Sequence, residues 1–311
     1  MKKQLMVITV ILLIGISGWL LYDNKSAEKT NGNTKGNTKG VQPGFEESSN
    51  TISFGLLDEN DKVVNNGSIL EPKENKLEYT FSLSNFIEVE RDYALIVLDN
   101  FKQIPFTVQG KQYNVYPFNA KANKTVEFKT SISVKKDTSE IDYLVIKKPN
   151  YFTEKLDIPK MHSLQEILPL RFQVKNNSQK QKTATFTPEE MFNEGPNDTI
   201  FISKQKEELT ILPTERSGED IYISVGNINE EKENYNIIAL SNWKQVPFEN
   251  NELVGNVLVN PGERKVFKFK LPFVKANSNF QVIALPRPYE VSEKDYESTR
   301  AEGSMRAVIK P

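Results

Sequence analysis

Cysteine is absent from the 311-residue chain. That excludes disulfide frameworks, thiolate zinc sites, iron–sulfur clusters, cysteine nucleophiles and a lipidated N-terminal cysteine. Histidine is almost absent: His162 stands alone, so one chain cannot assemble a histidine-clustered metal site. A charge excess is missing as well. Lys and Arg number 40 against 41 Asp and Glu, a net charge of −1, which removes the basic footprint of a nucleic-acid binder. No Walker loop, dinucleotide fingerprint, zinc motif or Gly-x-Ser-x-Gly elbow occurs. The reading from these absences is a protein with no enzymatic apparatus, no cofactor and no metal site. Bulk is plentiful: 18 Phe, 11 Tyr and 2 Trp within a 38% apolar composition can fill more than one core.

Lys2 and Lys3 precede eighteen uncharged residues from Leu5 to Tyr22. As a helix these span about 27 Å, close to the hydrocarbon thickness of a bilayer. Trp19 and Tyr22 fall at the far end, where amphipathic rings favour the interface. The two lysines put the N-terminus in the cytoplasm and the remainder outside. Ile16-Ser17-Gly18 is a poor cleavage site and Lys25-Ser26-Ala27 carries a charge at −3, so residues 1–22 read as an uncleaved single-pass signal anchor. Residues 23–49 then lose all apolar periodicity. They hold a tandem polar tetrad, Gly32-Asn33-Thr34-Lys35-Gly36-Asn37-Thr38-Lys39, and read as a flexible linker.

The strongest signal is internal. Tyr93 to Phe106 (YALIVLDNFKQIPF) returns 142 residues later as Tyr235 to Phe248 (YNIIALSNWKQVPF), with eight of fourteen positions identical. Ser82 to Asn85 matches Ser224 to Asn227 at the same offset. Val126 to Lys129 matches Phe267 to Lys270 at 141, Tyr143 to Ile146 matches Gln281 to Ala284 at 138, and Arg171 to Lys175 matches Arg306 to Lys310. A drifting offset is what loop insertions between duplicated domains produce. The expected organisation is a repeat at 50–177, a connector at 178–194 and a second repeat at 195–311.

Within each copy the hydrophobic period is two, as in half-buried strands. Tyr93 to Leu98 and Tyr235 to Leu240 are near-continuous apolar runs of six, which marks central strands. Only Lys160 to Ile167 and Glu293 to Ala301 look helical. About seven strands per copy, with turn signals such as Asn65-Asn66-Gly67 between them, predict two tandem immunoglobulin-like or fibronectin-like β-sandwiches in a mainly β protein. Tyr93/Tyr235, Leu98/Leu240 and Phe106/Phe248 are then expected as equivalent core positions of separately folding halves, joined by a polar connector that transmits little.

Candidate ligand or partner contacts fall in the repeated Asn-(Phe/Trp)-Lys-Gln-(Ile/Val)-Pro-Phe segment, the natural suspect for a binding loop: Phe101, Lys102 and Gln103 in the first copy, Trp243, Lys244 and Gln245 in the second. An aromatic face beside amide donors suits a sugar; the competing reading has the rings plugging the end of a sandwich. Asp58-Glu59-Asn60-Asp61 clusters oxygen ligands but lacks the glycine and distal glutamate of a calcium loop, so it reads as a solvated turn. His162 reads as a surface residue. The function expected is a non-enzymatic, membrane-anchored extracytoplasmic protein of a Gram-positive envelope, presenting tandem domains to an envelope protein. The alternative is a module binding wall or surface polysaccharide.

Overall fold

A computed structural model describes residues 51–175, 183–194, 198–248 and 251–311. The predicted anchor and linker, and part of the connector, lie outside the described residues. Among the described residues, no helix is long and apolar enough to cross a membrane. The described residues form one compact unit, built almost wholly of strands arranged in four sheets.

Sheet 1 runs in the order Val63–Val64, Ile52–Leu57, Lys76–Asn85, Lys124–Ser133, Phe106–Val108, Lys111–Tyr113. Sheet 2 runs Ile69–Leu70, Ile167–Val174, Glu140–Lys147, Arg91–Asp99, Lys102–Ile104, with Tyr116–Ala120 also paired to Arg91–Asp99. Sheet 3 repeats that plan: Thr214–Arg216, Ala307–Lys310, Ser278–Pro286, Glu233–Ser241, Lys244–Val246, with Gly255–Val259 on Glu233–Ser241. Sheet 4 runs Glu190–Phe192, Arg264–Lys270, Asp220–Gly226, Ile200–Ser203. In both sheet 2 and sheet 3 the first-named strand joins its neighbour in parallel while the other pairings are antiparallel.

Side-chain alternation decides how these sheets stack. Phe81, Leu83 and Phe128 of sheet 1 meet Tyr93, Leu95, Val97 and Tyr143 of sheet 2 in one core. Ile221, Ile223 and Phe269 of sheet 4 meet Tyr235, Ile237 and Val282 of sheet 3 in a second. The intervening residues of the same strands build a third core. Ala94, Ile96, Leu98, Leu144 and Ile146 of sheet 2 lie against Ile238, Leu240, Ile283 and Leu285 of sheet 3. Sheets 2 and 3 are therefore buried on both faces, which is why the runs Tyr93–Leu98, Tyr143–Ile146, Ile237–Leu240 and Val282–Leu285 in their central strands are apolar throughout and do not alternate. The result is two sandwich-like pairs of sheets, packed face to face.

Three expectations change here. Leu98 and Leu240 belong to the shared third core, while Tyr93, Phe106, Tyr235 and Phe248 belong to the separate ones, so the halves are not packed independently. Glu190–Phe192, read as connector, is a strand of sheet 4. Just before it, Phe186 lies so close to Gly255 that a Cβ there would stand 2.3 Å from its ring. Finally, Leu98 pairs with Asp142 and Leu240 with Gln281, so Gln281 corresponds to Asp142, not to Tyr143. A slip of one residue exchanges the two faces of a strand, and gap placement in a run of apolar residues cannot detect it.

Among the described residues, the first helical expectation holds two residues earlier than Lys160–Ile167, and the second only as 3₁₀ turns. One α-helix, α1, covers Ile158–Gln165, with Asp157 Oδ1 accepting from Lys160 N at 3.2 Å and a proline in its first turn. The second segment forms two 3₁₀ turns, Glu293–Asp295 and Glu297–Thr299.

Candidate functional site

The repeated turn segments converge where sheets 2 and 3 meet. Asp99-Asn100-Phe101-Lys102 and Ser241-Asn242-Trp243-Lys244 are two-residue hairpin loops. Both central residues have positive φ: 47° and 67° in the first, 44° and 65° in the second. These are the dihedrals of a type I′ turn, whose twist matches that of the strands and whose first position favours Asn. Each asparagine is pinned. Asn100 Oδ1 accepts from Ser139 N at 2.9 Å and Asn242 Oδ1 from Asn279 N at 2.9 Å. A bulky aromatic at positive φ is strained, and burial offsets that cost.

Phe101 is 0% and Trp243 5% exposed. Phe101 packs edge-on against Tyr289 at 5.0 Å. Trp243 donates from Nε1 to Pro149 O at 2.9 Å and carries the Arg306 guanidinium 4.6 Å from its ring centre. Neither ring offers a face to solvent, so both are unsuited to the sugar-stacking role considered for them. Lys102 and Lys244 point outward.

Gln103 and Gln245 make the same bonds in opposite directions. Gln103 N donates to Gln245 Oε1 at 2.7 Å, and Gln245 N donates to Gln103 Oε1 at 2.8 Å. Gln103 Nε2 donates to Trp243 O at 2.9 Å, and Gln245 Nε2 to Phe101 O at 3.0 Å. Each side chain thus supplies the short edge strand of the other half with amide partners that a sheet neighbour would provide. The segment that recurs in the two halves is the fastening between them.

Sequence reasoning missed the second fastening. Arg171 and Arg306 are 0% and 1% exposed, and each reaches into the opposite half. Arg171 Nη1 donates to Pro286 O at 2.7 Å and to Thr299 O. Arg306 donates to Lys147 O at 2.8 Å and Lys148 O at 3.3 Å. The matched Arg-x-x-x-Lys ends were visible, but nothing in the sequence marks an arginine as buried.

The two arginines differ in counter-charge. Arg171 lies 2.6 Å from Glu140 and 3.2 Å from Asp142, both fully buried. Glu140 also accepts from Tyr289 N of the other half at 2.6 Å. Burial opposes the Arg171 charge, yet Glu140 and Asp142 overcome it and hold its pKa above the ordinary guanidinium value. Asp142 is driven well above the carboxylate range, first by burial and then by the adjacent Glu140, with Arg171 offsetting only part. In the second half Asn279 and Gln281 stand in place of the acids. Burial pushes Arg306 down to about 9, and it stays charged at neutral pH.

A pH dependence follows. A carboxyl whose folded pKa is raised supports the fold fully below its unfolded pKa, and that support is lost as pH rises through the folded value. Asp142→Asn keeps an acceptor for Arg171 and removes the titration. Its stability relative to the parent should therefore increase as pH rises above the ordinary aspartate value of 3.8 toward the raised folded one, measured by urea unfolding at each pH. A constant difference would show that Asp142 does not gain a proton on folding.

Segments after the central strands tie the halves further. Gln173 Nε2 donates to Val291 O at 2.7 Å, Tyr296 OH to Pro169 O at 2.7 Å, and Asn277 Nδ2 to Glu154 Oε1 at 2.8 Å. Gly67, at φ 81°, admits no side chain because the Ser292 backbone lies 2.4 Å from where its Cβ would be. His162 is exposed, with Nδ1 2.9 Å from Gln165 Oε1, at the rim of a cleft of about 460 Å³ shared with Glu166, Arg300 and Glu302. Asp58 Oδ1 accepts from Asn60 N and Lys62 N, closing its own turn.

No family model matches this chain, and no curated protein matches it. Among solved structures, the C-terminal domain of the Streptococcus agalactiae AgI/II polypeptide BspA superposes with a TM-score of 0.24 at 8% identity, over 84% of this chain and 100% of that one. The E. coli chaperone DraB gives 0.26 at 12%, over 84% and 96%. The ASH/PapD-like domain of human CEP192 gives 0.24 at 11%, over 48% and 100%. At these scores none of them bears on the argument below.

Proposed function

We propose that this is a non-enzymatic, membrane-anchored protein of the cell envelope whose two immunoglobulin-like halves, derived by tandem duplication, act as one rigid interaction body. The observation that carries the reading is the junction. Its third apolar core and reciprocal Gln103–Gln245 bonds absorb the one segment of sequence that the two halves share most closely. The buried ionisable cluster Glu140–Asp142–Arg171 is likewise tied into the junction, which is a structural use of charge. The anchor at Leu5–Tyr22 and the polar linker behind it would hold this body outside the membrane, and the absence of cysteine suits a Gram-positive envelope. A protein partner at that envelope is favoured over wall or surface polysaccharide because the two rings that could have stacked on sugars are spent on the junction.

The test has two arms. Full-length protein should fractionate with membranes and resist high-salt extraction, because an apolar span and not charge retains it. A mature form beginning after Gly18 or Ala27 in the medium would overturn the anchor. Purified wall polysaccharide should fail to sediment the protein, and saturable co-sedimentation would replace the protein-partner reading with the glycan one.

A further inference from the structure

The duplicated arginines leave one chemical inequality. In the first half Arg171 Nε donates to Glu140 at 3.0 Å and to Asp142 at 3.2 Å. In the second half, Arg306 Nε, Asn279 Oδ1 and Gln281 Oε1 are buried with no hydrogen-bond partner. The strand register places the three together. Phe280 pairs with Ala307 and Asn279 with Val308, so the next pair in that register is Gln281 with Arg306. Cross-strand partners share a face, as do residues two apart, which puts Asn279, Gln281 and Arg306 on one face of sheet 3.

The amides cannot relieve the arginine by turning over. Asn279 Nδ2 donates to Pro149 O at 3.0 Å, and Gln281 Nε2 donates to Gln165 O at 2.9 Å and Ser304 O at 2.8 Å. Turning either amide over would set its oxygen against those carbonyls, so both amide oxygens are held on the remaining side, and carboxylates in their place would repel the carbonyls. The local inventory is then one unpaired donor and two unpaired acceptors, all buried in the junction. Each such group costs about 1–3 kcal/mol if left unmade.

We propose that a single buried water molecule bridges Arg306, Asn279 and Gln281 and replaces, in the second half, the carboxylates that hold the arginine of the first. Water accepts one hydrogen bond from Nε–H and donates one to each amide oxygen, satisfying all three; buried waters typically make about three such bonds. A small anion would answer the guanidinium but leave both oxygens unpaired and repelled. An apolar guest would answer none of the three.

Arg171 is the built-in control. In the full-length chain labelled with ¹⁵N-arginine, each Nε–H resonance is assigned by its loss in Arg171→Lys or Arg306→Lys. Rotating-frame cross-relaxation with water should then be recorded. The Arg306 Nε–H should show a direct cross-peak to long-lived water, and the Arg171 Nε–H, held by carboxylates, should show none. Silence at Arg306, or equal peaks at both, would overturn the proposal. So would a crystal structure with Arg306 Nε bonded directly to either amide oxygen, or with an anion between them.

Discussion

Arg171→Met should destabilise the protein by about 3–5 kcal/mol, the range for breaking a buried ion pair from one side. That is a large part of the roughly 5–15 kcal/mol available to a folded domain. The substitution leaves Glu140 and Asp142 buried side by side without their cation, and strips Pro286 O and Thr299 O of their donor. Arg306→Met is the matched comparison. It abandons no carboxylate and removes contacts to two carbonyls and one ring, so its cost should be smaller, about 1–3 kcal/mol. Urea unfolding of both variants at neutral pH checks the difference. If Arg171→Met were as mild as Arg306→Met, the acid pair would not be what makes the first arginine necessary.

Leu98→Ala and Leu240→Ala should each cost about 2–5 kcal/mol, as buried leucine truncations do. Each should lower the melting of both halves together. Both side chains belong to the core shared across the junction, so a cavity made from either side weakens the same core. Scanning calorimetry should show one cooperative transition in the parent and in both variants. A two-step melt in which residues 195–311 keep their parental transition in Leu98→Ala would show two independent bodies. Phe81→Ala, in the core of sheets 1 and 2 alone, provides the contrast: its cavity lies one sheet away from the junction.

Much of the β architecture was legible because strand chemistry is local. The alternation in Ile221 to Val225 places Ile221, Ile223 and Val225 on the core face without any knowledge of the fold. Asn65-Asn66-Gly67 announced a tight turn, and one formed there with Gly67 at φ 81°. The continuous runs Tyr93–Leu98 and Tyr235–Leu240 held more than was drawn from them. A strand apolar on both faces needs a covering layer on each side, and a single two-sheet sandwich covers only one.

The buried arginines, the reciprocal glutamines and the junction that the buried rings of Phe101 and Trp243 fill were not legible. Their meaning depends on residues distant in the sequence arriving opposite them. Gln103 looks like any exposed strand-end glutamine until Gln245 is set against it. Arg171 looks like a surface cation until Glu140 and Asp142 enclose it.

The sequence by itself determined that this chain is mainly β, that it carries one structural theme twice, and where its tight turns fall. Those properties rest on side-chain period and backbone dihedral preference, which act over a few residues. Only the tertiary structure decided that sheets 2 and 3 pack face to face, that the shared segment fastens the halves, and that one arginine meets carboxylates where the other meets amides. Those outcomes depend on shape and charge matching between distant surfaces, and no local preference encodes which surface a strand's second face will find.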